Sequence, residues 1–378
     1  MRRTGTAELG LHPGRAPSWL TSKMIKLSKG ILEAMVDDLG KDEVLKRLAD
    51  PFWFQALANT LAYDWDSSGT TTVVCGVLKN TLNKGDFGIA IAGGKGRTSR
   101  KTPEELLKIG ERFGFSTNRI EMLRYSSKMT AKVDNTAIQD GYQLYHHAFI
   151  VSENGKWAVV QQGMNENTKM ARRYHWLSDS VKRFTVEPHE AIVGSKSKNP
   201  VLDMTATSSE NCRKTSTDLA NDNPKKLARI FNSFRTKEQS SLKPWIPDLK
   251  EENIKTMNVY TSRPNWKALE RAYEIRPRDY EELLSIRGMG PSTVRGLAMI
   301  SNLIYGSEPS WRDPVKYTFA FGGKDGIPFP VKRNAMDEAT TVLENAIKQS
   351  KLGENNKLHM IRRLRRLIEK METQSTPR

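Results

Sequence analysis

Tyr142-Gln143-Leu144-Tyr145-His146-His147-Ala148-Phe149-Ile150-Val151-Ser152-Glu153-Asn154-Gly155-Lys156-Trp157-Ala158-Val159-Val160-Gln161-Gln162 reads as an antiparallel β-hairpin. Tyr142, Leu144, His146, Ala148 and Ile150 alternate with Gln143, Tyr145, His147 and Phe149, the period of a strand. Asn154-Gly155 supplies a turn that tolerates positive φ, and Trp157 to Val160 returns as the partner strand. The hairpin anchors a mixed α/β region over residues 1–194. Gly88 to Gly93 adds a short buried strand. Upstream, Ile25, Leu27, Ile31, Leu32, Met35, Val36 and Leu39 follow helical spacing and meet a stop at Gly40. Asp50-Pro51 marks a second boundary before a buried Phe52-Trp53-Phe54. Pro103-Glu104-Glu105 opens a further helix. Thr70 to Leu82 fits a strand or a buried helix equally well.

Beyond this region, residues 195–245 are rich in Ser, Thr, Asn, Lys and Arg and read as a polar linker, with one short helix within Asn223 to Phe234. Residues 246–355 return to a helical pattern, and 356–378 form a basic helix. The expected class is therefore mixed α/β followed by an all-α C-terminal domain. The chain has 378 residues and a net charge of +17, which favours a polyanionic partner, with DNA before a membrane surface. No apolar run approaches the roughly 18 residues of a membrane span. Two cysteines exclude a disulfide framework and a Cys-rich zinc site, and a reducing, cytoplasmic setting is expected.

The most specific motif is Leu283-Leu284-Ser285-Ile286-Arg287-Gly288-Met289-Gly290-Pro291-Ser292-Thr293-Val294-Arg295. One helix ends at the glycines and another starts at Pro291. Gly288 and Gly290 allow a tight turn with open amides, Met289 plugs between the helices, and Ser292 and Thr293 begin the second helix. Amides at a helix N-terminus suit a phosphate. The segment resembles the helix-hairpin-helix of DNA-repair proteins. Gly306 to Asp313 is similar to the stretch after the hairpin in helix-hairpin-helix DNA glycosylases, which implies a catalytic role for Asp313. The lysine nucleophile of bifunctional glycosylases is missing, since Pro291, Ser292 and Thr293 fill that stretch.

Several N-terminal clusters carry chemistry. Asp64 and Asp66 flank Trp65 and are candidate metal ligands. Lys95, Arg97 and Arg100 lie in the Gly-rich stretch Gly93 to Lys101, suited to a phosphate or a nucleic-acid backbone. His146 and His147 point to opposite faces of their strand. With Asp134 and Asp140 they form a candidate catalytic set for phosphodiester cleavage, aided by a divalent Mg or Mn. The hairpin loosely resembles that of phospholipase D-type nucleases, although Phe149 and Asn154 stand where a lysine and an acid belong. Arg172-Arg173-Tyr174-His175-Trp176 interleaves cations with aromatics, as in single-strand binding.

Taken together, the chain resembles an archaeal and bacterial family known as domain of unknown function number seven-six-three. The resemblance rests on Arg3-Thr4-Gly5, Asp50-Pro51-Phe52-Trp53-Phe54-Gln55, Asp64-Trp65-Asp66-Ser67-Ser68-Gly69, Gly93-Gly94-Lys95-Gly96, Gln139 to His147, Trp157 to Asn165, Arg172 to Trp176 and the Gly288-Met289-Gly290 turn. It implies no settled activity. Three functions follow as expectations: a DNA nuclease or phosphodiesterase, a DNA glycosylase using Asp313, and a DNA-binding adaptor without chemistry.

Overall fold

The computed structural model describes residues 9–11, 16–61, 67–197, 199–233, 263–316 and 333–375. Its centre is an antiparallel sheet. Strand β1 (Leu9–Gly10), β2 (Ile89–Lys95), β4 (Gln143–Ser152), β5 (Trp157–Asn165), β6 (Met170–Leu177) and β7 (Ala191–Val193) pair in the order β1-β6-β5-β4-β2, with β7 also on β6. β3 (Ile138–Gln139) and β8 (Leu202–Asp203) form a separate two-stranded ladder. The β4–β5 hairpin is present in the expected place. Ser152 N donates to Lys156 O at 2.9 Å, and Gly155 alone takes the left-handed backbone, at φ 77°. That is a three-residue loop with glycine at its bulge position.

Both faces of the sheet are covered, which is why its strands carry unbroken apolar runs. Ile89, Ile91, Ala148, Ile150, Ala158 and Val160 face one core. Ala90, Ala92, Phe149, Val151, Trp157 and Val159 face the other. Helices α1 (Ser18–Leu39), α2 (Lys41–Ala49), α3 (Pro51–Thr60) and α4 (Ser68–Lys84) cover the first face. Gly40 separates α1 from α2 at φ 79°, and the Asp50 carboxylate caps α3 by accepting from Trp53 N at 2.7 Å. The ambiguous stretch is thus the helix α4. Buried Val74, Val77, Leu78 and Leu82 give it one apolar face, and that packing outweighs the β-branched residues.

The second face is covered by α5 (Thr102–Arg112) and α6 (Thr117–Lys132), then by the C-terminal half of the chain. That half supplies α7 (Glu210–Asn221), α8 (Pro224–Ser233), α9 (Trp266–Ile275), α10 (Tyr280–Ser285) and α11 (Pro291–Tyr305). Cys212, Leu269, Leu284, Met289 and Leu297 share a core with Phe149, Val159, Tyr174 and Trp176. Helices α12 (Arg333–Gln349) and α13 (Glu354–Ser375) return to the first face, where Leu343, Ile347, Met360 and Leu364 join Ile31, Trp53 and Leu57.

Two expectations are corrected here. Among the described residues, those following 245 share their cores with the sheet. Their helices complete both layers over the sheet. The described part of 195–245 is also not a loose linker, since it holds β8, α7 and α8. Helix α7 looks like loop chemistry because its buried face is largely polar, and those groups are satisfied internally. Ser216 and Ser301 hydroxyls pair at 3.2 Å, and Arg213 donates to Met204 O at 2.6 Å and Ala206 O at 2.8 Å. The short helix expected within 223–234 is α8.

Candidate functional site

Successive side chains of a strand alternate, so β4, β5 and β6 each send polar groups to both faces. On the second face, His147, Gln161 and Arg172 meet Asp134 and Asp140. Asp134 sits where α6 passes into one π-helical turn, Val133–Ala137, and Asp140 follows β3. Gln161 Nε2 donates to Asp134 Oδ2 at 2.5 Å, so its Oε1 is the atom facing His147 Nδ1 at 2.7 Å. An amide oxygen only accepts, which puts the imidazole proton on Nδ1. His147 Nε2 then accepts from the Ser127 hydroxyl at 2.8 Å. Asp134 also accepts from Trp176 Nε1 at 3.0 Å and pairs with His189 Nε2 at 2.5 Å. Burial raises the Asp134 pKa, against the lowering effect of His189. Burial pushes His147 down to about 4, so the imidazole is neutral at pH 7.

Arg172 carries a second network that reaches the C-terminal half. Its Nη1 donates to Asp140 Oδ2 at 2.8 Å and Asp313 Oδ1 at 3.0 Å; its Nη2 donates to Asp313 Oδ2 at 2.8 Å. Burial opposes its charge, but Asp140 and Asp313 outweigh burial and raise its pKa. Asp313 also accepts from Ser197 N at 2.6 Å and Val315 N at 3.1 Å. Tyr174 OH donates to Asp140 at 2.7 Å.

Five residues singled out in the sequence therefore converge: Asp134, Asp140, His147, Arg172 and Asp313. Their hydrogen bonds form two groups: His147 and Asp134 bridged by Gln161, and Asp140 and Asp313 on Arg172, whose Nε is buried without a partner among the described residues. Asp134, Asp140 and His147, the expected catalytic residues, are each hydrogen-bonded within the protein. Asp313, the expected glycosylase residue, binds Arg172 with both carboxylate oxygens. Among the described residues, no three His, Cys, Asp or Glu side chains gather as a metal site.

His146 and Arg173 belong to the opposite face and do not join this cluster. Arg173 is wholly buried, with Nη1 and Nη2 each 3.3 Å from Gln55 Oε1 and the guanidinium 4.9 Å from the Phe54 ring centre. Burial pushes its pKa down to about 10. Burial, with the nearby His147 and Lys95, pushes His146 down to about 3. Lys95 ends β2, and Arg97 and Arg100 lie on the exposed two-turn 3-10 helix Gly96–Lys101 rather than in an open loop.

The Gly288-Met289-Gly290 turn connects α10 to α11. Asp279 caps α10 by accepting from Glu282 N at 2.8 Å, and Pro291 opens α11. Gly288 is left-handed at φ 90°, which favours glycine. Met289 is fully buried. Among the described residues, the amides of Gly288, Gly290 and Ser292 donate to no acceptor. Ser292 and Thr293 turn their hydroxyls the other way: Ser292 Oγ accepts from Arg263 N at 2.8 Å and Thr293 Oγ1 from Asn265 N at 2.9 Å. The exposed Arg263, Arg271 and Arg287 surround the turn, with Arg271 Nη1 donating to Arg287 O at 2.7 Å.

The family described as Protein of unknown function (DUF763) matches residues 5–331. The chain belongs to the DUF763 family. No curated protein and no solved structure matches it. The DUF763 match spans the sheet, helices α1 to α11 and the turn, so the clusters above lie within the family's shared region. Asp64 and Asp66 lie outside the described residues. Sequence reading missed Gln161, His189, Ser127 and Lys132. Lys132 reaches from α6 to donate to Met289 O at 2.5 Å, and burial, with Lys128 nearby, lowers its pKa to about 8. Only the Gln161-Gln162 pair inside an apolar strand signalled any of this in advance.

Proposed function

We propose that this protein binds DNA through a helix-hairpin-helix formed by α10, the Gly288-Met289-Gly290 turn and α11, and that it serves DNA repair or processing. The observation that carries this reading is the set of open amides at Gly288, Gly290 and Ser292, ringed by Arg263, Arg271 and Arg287. Backbone N–H groups at a helix N-terminus hold a phosphate oxygen without reading sequence, and the arginines add charge. The net charge of +17 favours the encounter. Lys132 ties the turn to the sheet-bound helix α6, which holds the amides rigidly.

Binding of this kind is insensitive to base sequence. Gly290 is extended, at φ −121°, and a Cβ there meets only Gly288 O at 3.8 Å, so a side chain fits the fold but covers the amides. The test is duplex binding by Gly290→Val, followed by anisotropy. The expected result is an affinity reduced about tenfold, the loss of one or two phosphate hydrogen bonds, with an unchanged melting temperature. Equal affinity in the variant removes the hairpin from the interface. End-labelled single strands, duplexes and uracil-containing duplexes, incubated with the protein and Mg²⁺, Mn²⁺ or EDTA, separate a processing enzyme from a binding module by their products.

A further inference from the structure

Strand β2 leads into a cation-rich 3-10 helix at one end of the sheet. Residues 95–103 hold Lys95, Arg97, Arg100 and Lys101 and no carboxylate, and all four cations are exposed. Their backbone is fixed from several sides. Lys79 Nζ donates to Gly93 O at 2.7 Å, and Glu105 accepts from Gly93 N at 2.7 Å. Ser99 Oγ donates to Gly96 O at 2.7 Å, and Thr102 Oγ1 donates to Ser99 O at 2.6 Å. The cations therefore stand on a held scaffold, which leaves less backbone to order on binding. Gly94 lies opposite His147 on the second face, and a Cβ there would meet Thr98 Cγ2 at 3.3 Å, so the 3-10 helix turns onto that face. Lys95 points to the first face with His146.

The amide turn lies at the same end of the second face. β2 and β4 are antiparallel, with Lys95 opposite His146, so the 3-10 helix sits where β4 begins. Helix α6 starts at the far end, where Arg119 Nη2 donates to Gly155 O at 2.8 Å in the β4–β5 turn. Its other end returns to the start of β4: Asn135 Oδ1, just beyond α6, accepts from Leu144 N at 3.3 Å. There Lys132 Nζ reaches Met289 O at 2.5 Å, and Gln139 Nε2 donates to Pro291 O at 2.8 Å.

Helices α5 and α10 flank α6. Ile120 packs against Gly110 of α5, where a Cβ would come within 2.5 Å of it, and Tyr125 OH donates to Glu281 Oε1 of α10 at 2.9 Å. At 3.6 residues per turn, Ile120 and Tyr125 are about 140° apart around α6, and Lys128 falls between them. Lys128 is exposed. Neighbouring helices pack about 8–10 Å apart, so two such spacings put the 3-10 helix roughly 20 Å from the turn. Along a duplex, whose phosphates rise about 3.4 Å per base pair, that is a span of about six base pairs. Phosphate suits both ends of the span, the open amides at one and the guanidinium groups at the other.

We propose that Arg97, Arg100, Lys101 and Lys128 form a second DNA-backbone contact, so that one duplex lies across this end of the sheet from the 3-10 helix to the Gly288-Met289-Gly290 turn. The proposal rests on the DNA-binding reading above and adds the path of the duplex.

The test uses the full-length protein and a fluorescent duplex of about 16 base pairs, more than twice the span, with anisotropy read from about 50 to 200 mM salt. Arg97→Ala/Arg100→Ala changes two exposed residues. It is expected to weaken binding about three- to tenfold and to reduce the salt slope by about 2, one phosphate contact for each cation. Arg97→Lys/Arg100→Lys should keep the wild-type slope, since the contact is to charge. Lys23→Ala/Lys26→Ala removes the same charge from the exposed side of α1, over the first face, and should change neither quantity. One duplex per chain is expected at saturation. A weaker Gly290→Val beside an unchanged Arg97→Ala/Arg100→Ala keeps the hairpin and overturns this surface. The reverse pattern keeps this contact and removes the hairpin. An equal loss in Lys23→Ala/Lys26→Ala assigns the effect to bulk charge and overturns the proposal, as do two duplexes per chain. No binding by wild type overturns both readings.

Discussion

Arg172 and Arg173 are consecutive in β6, both fully buried, and on opposite faces of one sheet; among the described residues, Arg172 is held by two carboxylates and Arg173 by none. Alternation along the strand makes this possible, and it divides the polar residues of the sheet into two clusters with different roles. In the Arg172 cluster, Asp140 and Asp313 supply the counter-charge from distant parts of the chain. Arg173 lies against Gln55 and the Phe54 ring.

Asp313→Asn should destabilise the protein by about 2–4 kcal/mol, because it leaves a buried guanidinium with half its counter-charge. Urea unfolding followed by circular dichroism measures it. A change near zero would return Asp313 to the catalytic role that its sequence context suggests.

Gln161→Leu removes the bridge between His147 and Asp134 and leaves a buried imidazole N–H without an acceptor. The expected loss is about 2–4 kcal/mol, the desolvation of two stranded groups. His147 should then lose its fixed tautomer, which nitrogen NMR of the imidazole reads directly.

Acid should unfold the protein early. An unfolded imidazole takes up a proton as pH falls through about 6.5. In the folded chain His147 resists until about 4 and His146 until about 3, both because of burial. The unfolded state therefore binds more protons between those limits, and stability present at pH 7 is lost as pH falls from about 6.5 towards 4. Urea midpoints from pH 7.5 to 4.5 should decline steadily, and His146→Gln should flatten the decline.

The two turn glycines should respond differently to alanine. Gly288 is left-handed, and a Cβ there would lie 2.9 Å from Asn265 Nδ2, so Gly288→Ala should cost about 1–2 kcal/mol. Gly290 is extended with open space, and Gly290→Ala should change stability by less than about 0.5 kcal/mol. Paired thermal melts decide the matter.

The elements that sequence made legible are those with a local cause. The β4–β5 turn is fixed by Gly155, α3 by Asp50-Pro51, and the α10–α11 junction by Gly288 and Pro291. The opposite facing of His146 and His147 follows from strand geometry alone. What escaped depends on distant partners. Helix α7 looks like a linker until Ser301, Met204 and Ala206 are seen to satisfy its polar face. The pairing of Asp313 with Arg172, 141 residues away in the chain, has no local signal. The C-terminal helices look like a domain of their own, because helical spacing reports an apolar face but not the sheet that buries it.

The most direct test of the DNA-binding account is the affinity of the full-length protein for a short duplex of arbitrary sequence, measured by fluorescence anisotropy from about 50 to 200 mM salt. The account predicts measurable binding at the low end, a linear fall of log affinity with log salt, and a uniformly weaker line for Gly290→Val. No binding at low salt, or wild-type and Gly290→Val lines that coincide, would contradict it.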